Sequence, residues 1–224
     1  MNIRTKIDLK DSLDKDFGWR KPELSQILFS VKGSNGITKN VAIRTAVLLL
    51  YAHWEGFVKH AANAYLNYVK SQGLIYEELQ NCFVAISMRQ KITQFEETNK
   101  STIHTQFVEY FRTCTKQIAT INDKNVITTA SNLKSAILRE ILTTIGIDYT
   151  PYDLKSNLID EQLLNYRNTI AHGEYLKINQ KDYILLHDEI LSMMASIKTS
   201  IENAVVLNLF KNTIPTNVNF SLAV

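Results

Sequence analysis

The longest helical pattern in this chain covers residues 38–71 and limits the fold more than any other feature. Thr38 can cap its first turn, and Gly73 can end it. About 34 residues at ~1.5 Å each make a helix about 50 Å long. Its apolar residues occupy more than one face, so we expect it at the centre of a bundle, with neighbours on several sides.

Helical spacing of apolar residues continues through most of the remaining chain, which has only seven Gly and three Pro in 224 residues. So few turn signals favour helices over a sandwich or barrel, and the predicted fold class is all-α. The first helix has Ile7, Leu13 and Phe17 on one stripe and is restarted or kinked at Pro22. The other predicted helices include residues 76–95, 103–121, 133–145 and 181–207.

A shorter helix precedes the last one and follows the Pro151 turn. Spacings of i, i+4, i+7 and i+11 give it one buried face, formed by Ile159, Leu163, Tyr166 and Ile170. Residues 122–131 are a polar connection for which no structure is predicted. We predict one helical domain over residues 1–210, followed by an uncharged C-terminal arm, residues 211–224. This arm is an added strand, a contact with a partner, or a frayed terminus.

Composition and charge restrict the class of protein. A hydrophobic content of 45% is ample for a packed core, and a net charge of +3 is too small to indicate nucleic-acid binding by bulk electrostatics. Cys82 and Cys114 lack metal or redox spacing, so reduced thiols and a cytoplasmic location are expected. The most apolar run, residues 46–52, is too short to span a membrane, and residues 1–21 lack a signal-peptide core. No membrane association is expected.

The strongest chemical pattern is Arg167-Asn168-Thr169-Ile170-Ala171-His172, near the end of the shorter helix. Gly173 follows, and glycine readily takes the left-handed conformation that ends helices. An imidazole titrates near neutrality, and a guanidinium can hold a phosphate with two parallel hydrogen bonds. These groups suit phosphodiester chemistry without a metal or a cofactor.

Helix geometry leaves two interpretations of this motif open. Asn168 and His172 are i, i+4 neighbours, whereas Arg167 and His172 diverge by about 140°. Irregular geometry at Gly173 could bring them together, and a second copy across a two-fold axis would place both pairs around one groove, which is the preferred geometry. In the structural alternative, Arg167 pairs with a carboxylate such as Asp160, and His172 bonds the last carbonyls of the helix.

Other residues are secondary candidates. Glu55, on the long helix, is a polar companion of the site or pairs with Lys59 at i, i+4. Tyr166 and Tyr175 flank the motif and are candidates for stacking on bases, although most aromatic residues here have core spacing. His53 and His60 are two helical turns apart, too far for one metal, so no metal site is predicted.

Basic residues are dispersed along the chain. Five in the middle segment are candidates for contacts with an RNA backbone, although solvated faces are the usual place for such residues. These five are Arg89, Lys91, Arg112, Lys116 and Lys124.

Three segments together resemble HEPN domains of the RiboL-PSP-HEPN type. They are the Arg167-Asn168-x-x-x-His172-Gly173 motif, residues 19–24 (WRKPEL) and residues 49–59 (LLYAHWEGFVK). The resemblance extends from about residue 10 to residue 200. It implies a helical bundle that dimerises through the motif helices, with the long helix central, and that cuts RNA without a metal.

The resemblance also implies roles for the motif residues. Arg167 would hold the scissile phosphate, His172 would transfer protons at the 2′-hydroxyl, and Asn168 would orient them, with Glu55 as an acidic companion. Products would carry a 2′,3′-cyclic phosphate and a 5′-hydroxyl. The leading hypothesis is a homodimeric toxin or anti-phage defence ribonuclease with an antitoxin or defence-complex partner. The alternatives are a catalytically inactive HEPN module that binds RNA or a protein, and a structural adaptor.

Overall fold

The computed structural model describes residues 3–212, and this part of the chain is α-helical without a strand. The all-α prediction is confirmed. Its α-helices are α1 (Lys6–Gly33), α2 (Gly36–Ser71), α3 (Asn81–Glu96), α4 (Ser101–Thr113), α5 (Ser135–Thr144), α6 (Asn165–Ala171) and α7 (Gln180–Val206). Shorter 3₁₀ segments occur at Tyr76–Glu78 and Thr150–Lys155, and a π-helical segment, Leu158–Leu164, runs directly into α6. Most of the predicted C-terminal arm, from residue 213 onward, lies outside the described residues.

The central helix of the bundle is α2, as its two-sided apolar pattern predicts. It packs against α1 and α7, which also contact each other, and against α6. Trp54, Phe57 and Tyr65 are fully buried on it. By length and composition α2 is also the one described helix that could cross a membrane, but half of its most apolar window is buried by its neighbours, as in the core of a globular protein.

Helix starts differ from the sequence predictions in α1 and α2. Thr5 begins α1 with a capping box, in which its side chain accepts from the Asp8 N–H and the Asp8 carboxylate accepts from the Thr5 N–H. The predicted restart at Pro22 is wrong, because α1 is continuous through it, and the predicted cap at Thr38 is wrong, because Asn35 is the N-cap and α2 begins at Gly36. Ile7 is 70% exposed.

The predicted helices 76–95 and 103–121 are both too long. The first begins at Asn81, after the 3₁₀ turn, and the second ends at Thr113. Residues 115–119 instead bond the chain before α3: the N–H groups of Tyr76 and Glu77 donate to the carbonyls of Gln117 and Thr115, and that of Ala119 donates to Leu74. This long-range pairing leaves no visible signal in local apolar spacing.

A buried ion pair within α1 contacts α2, and the contact joins the two segments that carry part of the HEPN resemblance. The Arg20 guanidinium donates to both Asp16 oxygens, at 2.8 and 3.1 Å, and to the His53 carbonyl at 3.4 Å. Trp19 lies over the Arg20 guanidinium and beside the His53 ring. Burial lowers the pKa of His53, which favours the neutral imidazole.

Removing the carboxylate of this pair should destabilise the fold strongly. The side chains of Asp16 and Arg20 are only 13% and 10% exposed, so Asp16→Ala leaves a buried cation without its counter-ion. We expect the free energy of unfolding, measured by urea denaturation, to fall by about 3 kcal/mol. Asp14→Ala is the control on the same helix, because its side chain is 41% exposed and its loss should cost less than about 1 kcal/mol. Equal losses would contradict the role given to Asp16.

Candidate active site

The motif helix has an unusual start and a regular end. Its start is the π-helical segment, which closes with the Asn165 N–H donating to the Asp160 carbonyl, an i to i−5 bond. At its end Gly173 has φ +79°, and the N–H groups of Gly173 and Glu174 donate to the carbonyls of Ile170 and Thr169. This is a Schellman cap, so the predicted stop at Gly173 is correct.

The face of this helix that packs on the core is close to the predicted one. Ile159 and Leu163 are fully buried, and Ile170 is nearly so. Tyr166 is only partly buried against the core. The core therefore fixes this helix against α2, and the polar motif residues occupy its other sides.

The Arg167 guanidinium is fixed by neutral groups. Its Nη1 donates to Asn168 Oδ1 at 2.7 Å and to Asn132 Oδ1 at 3.3 Å, and its central carbon lies 4.8 Å from the centre of the Tyr51 ring. Within residues 3–212 it forms no ion pair. A cation held without a carboxylate keeps its full charge for an anionic ligand.

The alternative pairing of Arg167 with Asp160 is wrong. The Asp160 carboxylate instead accepts from the Ser135 N–H at 2.7 Å and the Ser135 hydroxyl at 2.5 Å. These bonds satisfy a free donor at the first turn of α5. The carboxylate is therefore engaged in holding α5 against the π-helical segment.

Tyr51 connects the motif to the central helix. Its hydroxyl accepts a hydrogen bond of 2.7 Å from the buried Leu133 N–H, and its ring faces Arg167. Burial raises the pKa of Tyr51 to about 12, and the nearby Glu55 carboxylate acts in the same direction. Glu55 therefore lies on the Tyr51 side of the site, and no ion pair with Lys59 forms among the described residues.

His172 is exposed at the end of α6. Its backbone N–H donates to the Asn168 carbonyl at 3.0 Å, while its imidazole forms no hydrogen bond within residues 3–212. No hydrogen bond joins this imidazole to Arg167 in the protomer. Asn168 thus contacts Arg167 through its side chain and His172 through its backbone.

The two candidate stacking residues have different surroundings. Tyr166 packs partly against the core, whereas Tyr175 is 74% exposed in the segment after the helix. Arg44 from α2 donates to the Glu174 carbonyl at 2.9 Å, which ties this segment to the central helix. Tyr175 is therefore the freer of the two rings.

An exposed apolar stripe lies on the same end of α2. Ile37 and Val41 are 84% and 59% exposed, and Leu49 is 36% exposed. Ile37 and Val41, at i and i+4, share one face of the helix and form the stripe, whereas Leu49 is turned from Ile37 by about 120°. The Arg44 bond to Glu174 brings the stripe close to Tyr175 and the end of the motif.

Two residues of the site, Tyr51 and Asn132, were missed by the sequence analysis. Asn132 lies 35 positions before Arg167, in a connection whose geometry is unusual: Ala130 and Ser131 both have positive φ, at 50° and 61°. Such backbone is costly for residues other than glycine and is held only where its surroundings fix it. Spacing along the chain cannot reveal this contact.

The Tyr51 hydroxyl should contribute to stability as well as to the site. Tyr51→Phe removes the acceptor of the buried Leu133 N–H, and an unsatisfied buried donor costs about 1–3 kcal/mol. We expect that decrease in the free energy of unfolding. Tyr183→Phe is the matched control, because the buried Tyr183 hydroxyl has no hydrogen-bond partner among the described residues. A decrease of the same size in both variants would exclude a specific role for the Leu133 bond.

Metal-ligating side chains do not cluster in the described part of the chain. Residues 3–212 contain no group of three or more His, Cys, Asp or Glu side chains placed to hold one ion. Cys82 and Cys114 are both free thiols.

Comparison with known families identifies the domain. The model of the RiboL-PSP-HEPN family matches residues 15–203, a range that includes the ion pair of α1, Tyr51, Glu55 and the motif helix. Comparisons with curated proteins and with solved structures gave no significant match. Because the family match covers most of the chain and the described residues are mainly helical, the chain belongs to the RiboL-PSP-HEPN family.

Proposed function

We propose that this protein is a metal-independent endoribonuclease that cleaves RNA in a groove shared by two copies of the chain. HEPN membership by itself points to a ribonuclease or nucleotide-binding role. The observation that carries the finer proposal is the state of Arg167, a cation oriented by Asn168, Asn132 and Tyr51 with no carboxylate neutralising it. A phosphate diester is the ligand that such a fork-shaped donor fits best.

In the proposed reaction a ribose 2′-oxygen attacks the adjacent phosphorus. His172 accepts the 2′-hydroxyl proton as the O–P bond forms, and the 5′-oxygen of the next nucleotide leaves and takes up a proton. The guanidinium of Arg167 neutralises the charge that builds on the non-bridging oxygens. The products are a 2′,3′-cyclic phosphate and a 5′-hydroxyl. Glu55 would act indirectly, through its effect on the Tyr51 hydroxyl beneath Arg167.

Two observations support a shared groove. Within one protomer the His172 imidazole is exposed and makes no hydrogen bond to Arg167. Ile37 and Val41 form an exposed apolar stripe next to the motif segment, and such stripes commonly mark protein interfaces. An isologous dimer would bury the stripe and place two arginines and two histidines together. Tyr175 would then be available to stack on a base.

An enzyme that cuts cellular RNA has to be restrained, so we include a regulatory partner in the proposal. The partner would be an antitoxin or a component of a larger anti-phage defence assembly in the cytoplasm. The C-terminal arm is a candidate contact, although its residues from 213 onward lie outside the described part of the chain.

A non-catalytic HEPN module that binds RNA or a protein is the second candidate. It is favoured by the lack of a hydrogen bond between Arg167 and the His172 imidazole within one protomer. With the two groups apart, α6 could serve dimerisation alone. This module would bind RNA without releasing products.

The direct test is incubation of the purified protein with an end-labelled RNA in the presence of EDTA. We expect fragments ending in a 2′,3′-cyclic phosphate, identified by their resistance to phosphatase until the ring is opened with acid. Binding without fragments over a wide range of protein concentrations would favour the non-catalytic module. Cleavage that EDTA abolishes would overturn the metal-independent mechanism.

A further inference from the structure

A second groove lies on the part of the bundle formed by α3, α4 and the connection that follows α4. It has a volume of about 1130 Å³ and is lined by side chains of α3, by Lys70, Tyr76 and Tyr110, and by residues 120–122, 124 and 125. None of the motif residues lines it. Its chemistry can therefore be considered separately from the candidate active site.

Positive charge is concentrated in this groove. Arg89, Lys91 and Lys124 line it, are exposed, and form no ion pair within residues 3–212. A fourth cation, Lys70, is neutralised by Asp123 at 2.6 Å, and Glu97 is the single acidic side chain on the described walls. Of the five cations predicted as RNA contacts, the structure thus brings three together, while Arg112 and Lys116 lie outside the groove.

The cations are held in place by neutral groups. The Arg89 guanidinium donates to the Asn125 carbonyl at 3.1 Å, and the Lys91 ammonium lies 4.0 Å from the centre of the Tyr110 ring. Tyr110 in turn packs edge-on against Tyr76, and their hydroxyls are 3.0 Å apart. The two rings are therefore engaged with each other and with Lys91, which leaves phosphate binding, not base stacking, as the chemistry of the groove.

The remaining walls combine amides and hydroxyls with two isoleucines, Ile86 and Ile121. The amides and hydroxyls belong to Ser87, Gln90, Thr93, Gln94, Thr120 and Asn122. Sites for small organic ligands have only a few polar groups among apolar side chains, whereas polar and charged side chains outnumber the two isoleucines here. Polar side chains between separated cations instead match the sugar–phosphate backbone of a nucleic acid, in which charge repeats along the strand.

The groove is also continuous with the candidate active site along the chain. Lys124 and Asn125 line the groove, and the same connection ends at Asn132, which bonds Arg167. Asn132 follows Asn125 by seven positions, a span of at most about 25 Å. An RNA strand of several nucleotides is long enough to bridge that distance.

We propose that the groove is a guide site that binds the phosphate backbone of single-stranded RNA next to the cleavage site. Arg89, Lys91 and Lys124 provide the phosphate contacts. The identity of the ligand rests on the proposed ribonuclease function, whereas the anionic character of the ligand rests on the groove alone.

The test compares RNA binding of two triple variants, each made in a His172→Ala background so that the RNA stays intact. One carries Arg89→Gln, Lys91→Gln and Lys124→Gln. For a fluorescent 20-nucleotide RNA at 0.1 M salt, we expect about a hundredfold weaker binding, because each lost phosphate contact costs about fivefold there. The slope of log K against log salt should become shallower by about 2 units.

The control carries Lys100→Gln, Arg112→Gln and Lys116→Gln, three exposed cations of the same region that do not line the groove. Its affinity and salt slope should stay near those of the parent. Equal losses in the two triple variants would overturn the proposal. So would displacement of the RNA by polyglutamate at equal charge concentration, which would indicate a site for an acidic protein.

The experiments distinguish failure of the guide site from failure of the proposed ribonuclease function. If the wild-type protein cuts RNA and the groove variant binds RNA normally, the guide site is wrong and the ribonuclease stands. If the groove variant loses binding and the wild-type protein releases no fragments, the groove binds RNA for a protein that does not cut it.

Discussion

His172→Ala should lower the rate of RNA cleavage by about 10²–10⁴-fold, the range for loss of a positioned general acid or base. His172 carries the one imidazole of the motif, so no other motif residue can replace it in proton transfer. Because His172 is exposed and its side chain forms no hydrogen bond in the protomer, the free energy of unfolding should change by less than about 0.5 kcal/mol. Loss of activity without loss of stability separates a catalytic role from a structural one. Initial rates on a labelled RNA and urea denaturation give the two measurements.

A histidine outside the motif provides the control. His104, on α4, bonds only locally, with its Nε2–H donating to the carbonyls of Phe95 and Thr98. His104→Ala should retain cleavage within a factor of about two, since surface changes away from a site are close to neutral. If His172→Ala keeps wild-type activity, the acid–base assignment is wrong.

Mixing two inactive variants should restore activity. Arg167→Ala is expected to lose about 10²–10³-fold in rate, as for removal of one donor from a transition-state site. After subunit exchange with His172→Ala, about half of the dimers contain one copy of each variant. Each mixed dimer keeps one arginine and one histidine in the shared groove, contributed by different copies. We expect the rate to recover to as much as about half of the wild-type value.

The same mixture distinguishes a shared site from two separate ones. If each protomer carried a complete site, every subunit in the mixture would lack one group, and activity would remain at the level of the inactive variants. The double variant, with both substitutions in one chain, is the control for exchange: mixed with either single variant it should restore nothing. Recovery of activity in that control would rule out a site that takes Arg167 from one copy and His172 from the other.

The helices were predictable where a strong local signal exists. Two-sided apolar spacing identified α2, and Gly73, Gly146 and Gly173 all have the positive φ expected of helix-ending glycines. The motif was readable because its residues are close in sequence. The groups that hold Arg167 were not, because Tyr51 and Asn132 reach it through tertiary packing across 116 and 35 positions.

The late end predicted for α4 has a similar cause. Residues 115–119 continue an apolar pattern but bond the backbone around Tyr76, so tertiary pairing overrides helical propensity. The groove could not be predicted from the spacing or the charge of residues along the chain. Arg89, Lys91 and Lys124 become neighbours only once α3 and the 120–125 connection are folded together.

The π-helical segment before α6 has a consequence for how this helix tolerates a change in chain length. Its i to i+5 bonding accommodates more residues per turn than an α-helix would. Loss of a single residue between 158 and 164 can therefore be absorbed by relaxation to α-helical bonding, with the residues before and after the segment kept in register. The same loss within a regular α-helical turn would rotate everything after it by about 100°. The π-helical segment is thus a place where the chain can shorten by one residue without turning Arg167 away from Tyr51.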